Sequence, residues 1–418
     1  MEIKMTPLDG MDVAGKRVLL RLDINSPIDS QTKRIVNENR LIKSLPTLRY
    51  LLDGGAKVAI IAHQGDTLDY QNLIPLKEHA EKLTALLGRE VRYIDDVCGP
   101  AACEAVKALG EGECILLGNL RYLCEEISGF EKEVKLKPSE MLNTWLARTL
   151  TPLFDLYVND AFSAAHRNCP SMTAFQEVLP TAAGFLLFDE YKALYNVLHG
   201  AAKPAVFVLG GAKISDAFGM MEVVCANGTA DTILACGVTG QVMLLAKGYQ
   251  LGKTTEDFLK AHDLWCFVEQ AKDLLALFPA VFKLPLDLAF ERDGKRVEID
   301  VADLPAKEAF CDLGEKTIAA YSEIIAQAGT IFANGPAGVY ENPLFETGTR
   351  AIWNAVANAP GYSVIGGGDT VSSATKLADI GKIDYVCTAG GAMVRFMSGK
   401  KLALVAAMEG AYERGKHL

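Results

Sequence analysis

The chain has 418 residues, more than one hydrophobic core usually supports, so two or three domains are expected. Hydrophobic residues make up 50% of it and charged residues 22%, a globular balance in which no apolar run reaches the roughly 18 residues that cross a bilayer, which argues against a membrane partner. A net charge of −10 argues against nucleic acid as a partner, because phosphate backbones select basic surfaces, and any anion site must be local.

The opening MEIKMTPLDGMDV has no apolar stretch behind a basic start, which predicts a cytoplasmic protein without a secretory signal. The ten cysteines are scattered through apolar runs without a CxxC pair, a pattern of buried free thiols rather than of a disulfide framework. A monomer is the expected state. From residue 13 to about 182, short β-branched runs alternate with amphipathic stretches such as 42–55 and 76–88, the second closing on a C-cap-like Gly88. This is the βαβ rhythm of a parallel sheet. Four of the runs, VLLRLDIN (18–25), VAIIAHQG (58–65), CILLGNLR (114–121) and LYVNDAFSAAHR (156–167), deliver Asp, Asn, His or Arg at their carboxyl ends. Ligands of open α/β sheets bind outside those ends, so Arg21, Asp23, Asn25, Arg40, His63, Arg121, His166 and Arg167 form a candidate site for a small, multiply anionic substrate.

A helix-like segment over 182–204 runs into Pro204 and is the candidate domain-linking helix. The strand rhythm then resumes to about 395, interrupted by ERDGKRVEIDVADLP (291–305), whose Asp-Gly pair predicts a hairpin or surface insertion. Here the strand ends are glycine turns followed by helix-forming stretches: Gly210-Gly211, Gly366-Gly367-Gly368 and Gly390-Gly391. Glycines let backbone amides approach phosphate oxygens, and a following helix N-terminus adds free N–H groups at the positive end of its dipole. Lys213 would place a positive charge beside a transferring phosphate, and Asp369 would ligate Mg2+ together with phosphate oxygens. The final stretch, 399–418, reads as a terminal helix. No GxxxxGK[ST], HExxH or GxSxG pattern is present, which leaves phosphoryl transfer without a covalent intermediate as the simpler reading.

In order along nearly the whole chain, these segments resemble phosphoglycerate kinases. RLDINSP, NENRLIKSLPTL, AHQG, LLGNLRY and VNDAFSAAHR are similar to the family's blocks in the first half; LGGAKISD, FANGPAGVYE, VIGGGDT and TAGGA are similar to its nucleotide blocks. AHQG and the short chain look closer to archaeal-type members. The resemblance implies two doubly wound, Rossmann-like parallel-sheet α/β domains joined by a hinge helix. The expected division is 1–182 for the phosphoglycerate, 183–395 for Mg-ATP or Mg-ADP, and 396–418 returning to the N-terminal domain. It implies that Asp23, Asn25, Arg40, His63, Arg121 and Arg167 hold the acid, with Arg40 and Lys213 at the transferring group. Gly210, Gly211, Gly237, Asn334, Glu341, Gly366, Gly367, Gly368, Asp369 and Thr370 would face the nucleotide, Asp369 also holding the metal.

Three positions depart from the family pattern. After His63 and Gly65 the family carries an arginine for the phosphate at the non-reacting end, whereas this chain has Asp66 and no arginine between Arg49 and Arg89. Ala217 stands where many members have a second lysine, and Gly118 where the family has Glu. Asp66 opens the alternative of a paralogous kinase for a different small carboxylic acid. A nucleotide sensor without catalysis is the third reading, and the presence of Lys213, Asp369 and Arg40 speaks against it.

Overall fold

The computed structural model describes residues 3–65 and 72–415. Asp66 therefore lies outside the described residues. The chain divides into two units: one comprises the residues up to Lys192 together with those from Lys401 onward, and the other is Ala193–Lys400. The division falls inside the helix Phe185–His199, and Ala182 and Ala183, ahead of that helix, belong to an edge strand.

The first unit holds six parallel strands: β1 Arg17–Leu22, β2 Lys57–Ile61, β3 Val91–Tyr93, β4 Cys114–Leu116, β5 Leu156–Asp160 and β6 Thr181–Ala183. Their order across the sheet is β3-β4-β2-β1-β5-β6. The strands read as continuous apolar runs because helices cover both faces; every residue of β5 is buried and so are the last five of β1. Two separate apolar clusters lie on the two faces, one around Leu20, Ile60 and Val158, the other around Leu19, Ile61 and Tyr157. Helix Lys77–Leu87 ends on Gly88 at φ 68°, the left-handed cap its sequence promised.

The terminal segment forms the helix Ala403–Gly415 and belongs to this first unit. Leu404 N donates to Ala165 O at 3.0 Å, and the Arg414 guanidinium donates to Gln176 O at 2.7 Å. The helix thus braces the backbone just before His166 and Arg167.

The second unit holds β7 Ala205–Leu209, β8 Thr232–Ala235, β9 Phe282–Lys283, β10 Asp287–Arg292, β11 Lys295–Asp300, β12 Phe310–Leu313, β13 Thr330–Asn334, β14 Tyr362–Ile365 and β15 Tyr385–Val386. Six of them form a parallel sheet ordered β15-β14-β13-β7-β8-β9; the other three form an antiparallel sheet ordered β11-β10-β12. The hairpin expected at 291–305 is the β10–β11 pair. It turns on Asp293 and Gly294, both at positive φ (53° and 72°), as a two-residue primed turn requires.

Both parallel sheets grow outward from a central strand in two directions. The switch points lie between β1 and β5 in one and between β7 and β13 in the other. Crevices outside the carboxyl ends of strands form at such points, so topology alone names two places to look for ligands.

Candidate active site

At the β1/β5 switch lies a pocket of about 280 Å³ lined by Arg21, Asp23, Asn25, Arg40, His63, Gly65, Arg121, Glu126, Ser163, His166, Arg167 and Cys169, with Ala164 and Met172. All eight side chains picked out at the strand ends of the first half meet here. Four arginines face two carboxylates, Asp23 and Glu126, so the pocket attracts anions inside an acidic protein.

The side chains hold one another. Arg21 is buried and donates from Nε to Ser171 Oγ at 3.3 Å and from Nη2 to His63 Nδ1 at 2.9 Å. Ser171 is held in turn by Glu126, whose carboxylate accepts from its N at 2.7 Å and from its Oγ at 2.6 Å. Arginine is only a donor, so His63 Nδ1 accepts and its proton sits on Nε2. Burial and the charges of Arg21, Arg121 and Arg167, against a raising effect of Asp23, hold the His63 pKa well below its ordinary value, so the ring stays neutral.

Asp23 accepts from Arg40 Nη1, from Ser163 Oγ and, at 3.1 Å, from Asn25 N. Burial alone would raise its carboxyl; Arg40, His63, the Ser163 hydroxyl and Arg21 together bring it far below the usual carboxylate range. It is therefore a permanent anion that aims Arg40. Asn25 Oδ1 takes the amide of Gly65 at 3.0 Å and so ties the β1 end to the β2 end. Arg167 donates from Nε to Glu131 at 2.6 Å, which fixes its direction. Ser163, Glu126 and Ser171 carried no signal in the sequence, because their role is to hold residues 40 to 150 positions away.

At the β7/β13 switch a second pocket, about 190 Å³, is lined by Gly211, Ala212, Gly237, Val238, Gln241, Leu288, Phe310 to Leu313, Pro336 to Glu341 and Asp369. The amides of Gly210, Gly211 and Gly237 donate to Asn334 O, Pro336 O and Ala337 O at 2.9, 2.8 and 3.1 Å. A Cβ at Gly210 would stand 2.6 Å from Pro336 O and from Cys236 Sγ, and one at Gly335 would strike Gly210 O. These glycines let two strand-end loops close on each other, and their amides are spent doing so, contrary to the free donors expected of the first glycine turn. Gly366 is likewise hemmed in, by Met393 and Cys387.

Gly368, Gly390 and Gly391 differ: a Cβ at any of them would meet nothing within 4 Å. They open the helices Gly368–Leu377 and Gly390–Met397, whose first-turn amides have no carbonyl partner within the helix and no side-chain cap. Asn334 Nδ2 donates to Gly366 O at 2.7 Å and Thr370 Oγ1 accepts from Gly335 N at 2.7 Å, so these two lock the β13 and β14 ends together. Lys213 Nζ lies 3.5 Å from Asp369 Oδ2, with both side chains more than half exposed.

Among the described residues no group of three or more His, Cys, Asp or Glu is placed to hold a metal. A hard divalent cation that keeps its waters and shares phosphate oxygens needs one exposed carboxylate, and Asp369 at a helix N-terminus fits that role. Ala217 is buried on the helix Ile214–Ala226, so position 217 offers no cation to the pocket. Gly118 packs flat on the Asp96–Val97 backbone, where a Cβ would come within 3.1 Å.

The family model described as phosphoglycerate kinase matches residues 8–400. The chain belongs to the phosphoglycerate kinase family. Similar members include the phosphoglycerate kinase of Methanothermobacter thermautotrophicus, 39% identical with 98% of each chain covered, and that of Thermococcus onnurineus, 40% identical with 96% of each covered. The crystal structure of phosphoglycerate kinase from Pyrococcus horikoshii is similar with a TM-score of 0.85 and 37% identity, covering 98% of this chain and 100% of that one. Like the rest of the phosphoglycerate kinase family, the chain is an ATP-using kinase whose acceptor is a carboxyl group. Among the described residues no helix is long and apolar enough to cross a membrane.

Proposed function

We propose that the first unit holds 3-phosphoglycerate or 1,3-bisphosphoglycerate in the β1/β5 pocket, that the second holds ATP or ADP at the β7/β13 edge, and that the helix Phe185–His199 is the hinge through which the two meet. The observation that carries this reading is the pocket itself: four arginines and a neutral histidine converge where the topology puts a ligand.

In this reading Arg121, Arg167, Asn25 and His63 Nε2–H bind the acid, and Asp23 turns Arg40 toward the carboxylate that attacks or leaves. Lys213 neutralises charge on the equatorial oxygens of the moving phosphoryl, the main catalytic need in a reaction that requires no protein nucleophile. The open amides at Gly368, Gly390 and Gly391 receive phosphate oxygens, and Glu341 faces the ribose. We assign Mg2+ to Asp369; when bound it would neutralise phosphate charge. Housing the acid and the nucleotide on different units keeps water from the acyl phosphate until they meet. The free state of all ten cysteines suits a reducing cytoplasm, and the net charge of −10 suits a monomer, which light scattering would report as one 45.1 kDa chain.

A coupled ATP-consumption assay with Mg2+ tests the acceptor, run with 3-phosphoglycerate beside glycerate and other small carboxylic acids. Efficient turnover of 3-phosphoglycerate is expected; selective turnover of an acid without the distal phosphate would refute this choice of substrate.

A further inference from the structure

The β10–β11 hairpin contributes little to the β7/β13 pocket directly, yet its Arg296 reaches beneath it. Arg296 Nη1 donates to Asp312 Oδ2 at 2.8 Å and to Leu344 O at 3.4 Å, and Nη2 donates to Leu313 O at 2.6 Å. Asp312 lines the pocket's floor; its side chain is fully buried and that of Arg296 is 17% exposed. Asp312 Oδ2 also accepts from Gly348 N at 2.8 Å. Among the described residues its Oδ1 has no hydrogen-bond partner of good geometry, and it is wedged against Gly338 and Gly348, where a Cβ on either would strike it. The loop between these glycines is stitched down beside it, with Val339 N on Cys311 O at 2.8 Å and Gly338 N on Thr349 Oγ1 at 3.0 Å.

We infer that Arg296 is a positioning residue for nucleotide binding: by clamping and neutralising Asp312 it holds the 338–348 loop in the shape that completes the pocket. The inference rests on that pocket being the nucleotide's. Val339 and Glu341, which line it, lie on this loop, so a displaced Asp312 moves them both. A buried carboxylate stripped of its cation either takes a proton or drags its surroundings toward water. The other ionisable groups facing the pair do not replace the cation. Cys236 and Cys311 are thiols whose pKa values burial raises, Glu291 lies near Cys311, and Glu298 is an anion that accepts from Arg296 Nε at 3.2 Å. Burial holds the Asp312 carboxyl above its ordinary value even with the Gly348 amide and Arg296 pulling it down, so losing Arg296 carries its titration further toward neutrality.

The test compares KM for ATP, KM for the acid and kcat at saturation in Arg296→Gln and Arg296→Lys across a pH series. In Arg296→Gln, KM for ATP is expected to rise about tenfold near neutral pH, the scale of one lost charged hydrogen bond, and to fall back in acid as Asp312 takes a proton. The KM for the acid and the saturated kcat should stay close to the parent values, since the acid's residues belong to the other unit. Arg296→Lys keeps the charge and should give a smaller rise without pH dependence, and it carries the test if the glutamine variant does not fold. A pH-independent rise in Arg296→Gln, an equal rise in the acid's KM, or an unchanged KM for ATP in the variant that folds overturns the inference. Val339→Asp, on the apolar exposed wall of the pocket, separates the two levels. If it leaves KM for ATP unchanged, the pocket assignment fails; if it raises KM while the Arg296 variants do not, only the positioning role fails.

Discussion

The two switch-point sites are built by opposite means. At β1/β5, buried charged side chains are locked to one another before any ligand arrives: Glu126 holds Ser171, Ser171 and His63 hold Arg21, and Asp23 holds Arg40. At β7/β13 the scaffold is largely backbone closing on backbone through glycine, beside the buried Arg296–Asp312 pair, while Lys213 and Asp369 are exposed and 3.5 Å apart, with Asp216 also near enough to feel the charge of Lys213. The difference fits what the ligand proposed for each site demands. A small acid is gripped by a fixed ring of cations, whereas a polyphosphate chain needs amides and charges that come together around it.

The sharpest way to break the comparison is Lys213→Ala. Removing this flexible cation from the proposed transfer point should lower kcat by about 10² to 10³, the scale of losing a transition-state charge partner, with KM for the acid unchanged. Near-parental turnover would show that the second site does not rely on an exposed side chain.

The prebuilt character of the first unit predicts a pH-dependent stability. His79 is buried with Nε2 near Gln64 Oε1 at 3.0 Å, beneath the Gln64–Ser26 link, and burial lowers its pKa from 6.5 to about 4. Below pH 6.5 the unfolded chain takes up a proton that the folded chain refuses, so this residue makes stability fall as pH drops from 6.5 to about 4. The loss amounts to about 3 kcal/mol at 1.36 kcal/mol per unit. Urea melts of the parent and of His79→Gln should differ in slope across that window; identical slopes would refute the buried neutral ring.

The second unit is sharpened by a pair of identical changes. Gly210→Ala should cost about 1 to 3 kcal/mol of stability by forcing apart the β7 and β13 loops. Gly368→Ala should leave stability within about 0.5 kcal/mol, since nothing surrounds its Cβ, and instead raise KM for ATP several-fold. Equal melting temperatures for the two variants would erase the distinction between packing glycines and open ones.

The smallest effect concerns His63. Held neutral by burial and by Arg21, it should not protonate as pH falls through 6.5, so KM for the acid should show no histidine-like step there. A step that vanished in His63→Asn would show that the ring titrates normally.

The strands with chemistry at their carboxyl ends were legible because apolar runs ending in Arg, His, Asp or paired glycines are local patterns, and seven such runs match β1, β2, β4, β5, β7, β14 and β15, while β13 carries the FANGPAGVYE block. The short strands β3, β6 and β9 were not, since two or three residues carry too little periodicity; β4 and β15, equally short, were found only because they lie in longer runs that end on Arg121 and on Gly390-Gly391. Nor could spacing reveal that Gly210 and Gly368, alike in sequence, differ in function: one amide is taken by Asn334 O, and the other position faces open space. The resemblance implied that the last segment returns to the first domain, but its contact with Ala165 could not be read from spacing, because that partner lies more than 200 residues away.

By itself, then, the sequence determined the family, the two-fold repetition of a parallel α/β plan, and the identities of the charged groups at the strand ends. These are written in runs of fewer than a dozen residues, where side-chain chemistry and backbone preference act locally. Tertiary structure alone decided which charges are buried and mutually locked, which glycine amides remain open, and that Asp312 on β12 depends on Arg296 on a neighbouring hairpin. Burial, desolvation and hydrogen-bond partnership depend on groups far apart in the chain, and only the packed fold brings them together.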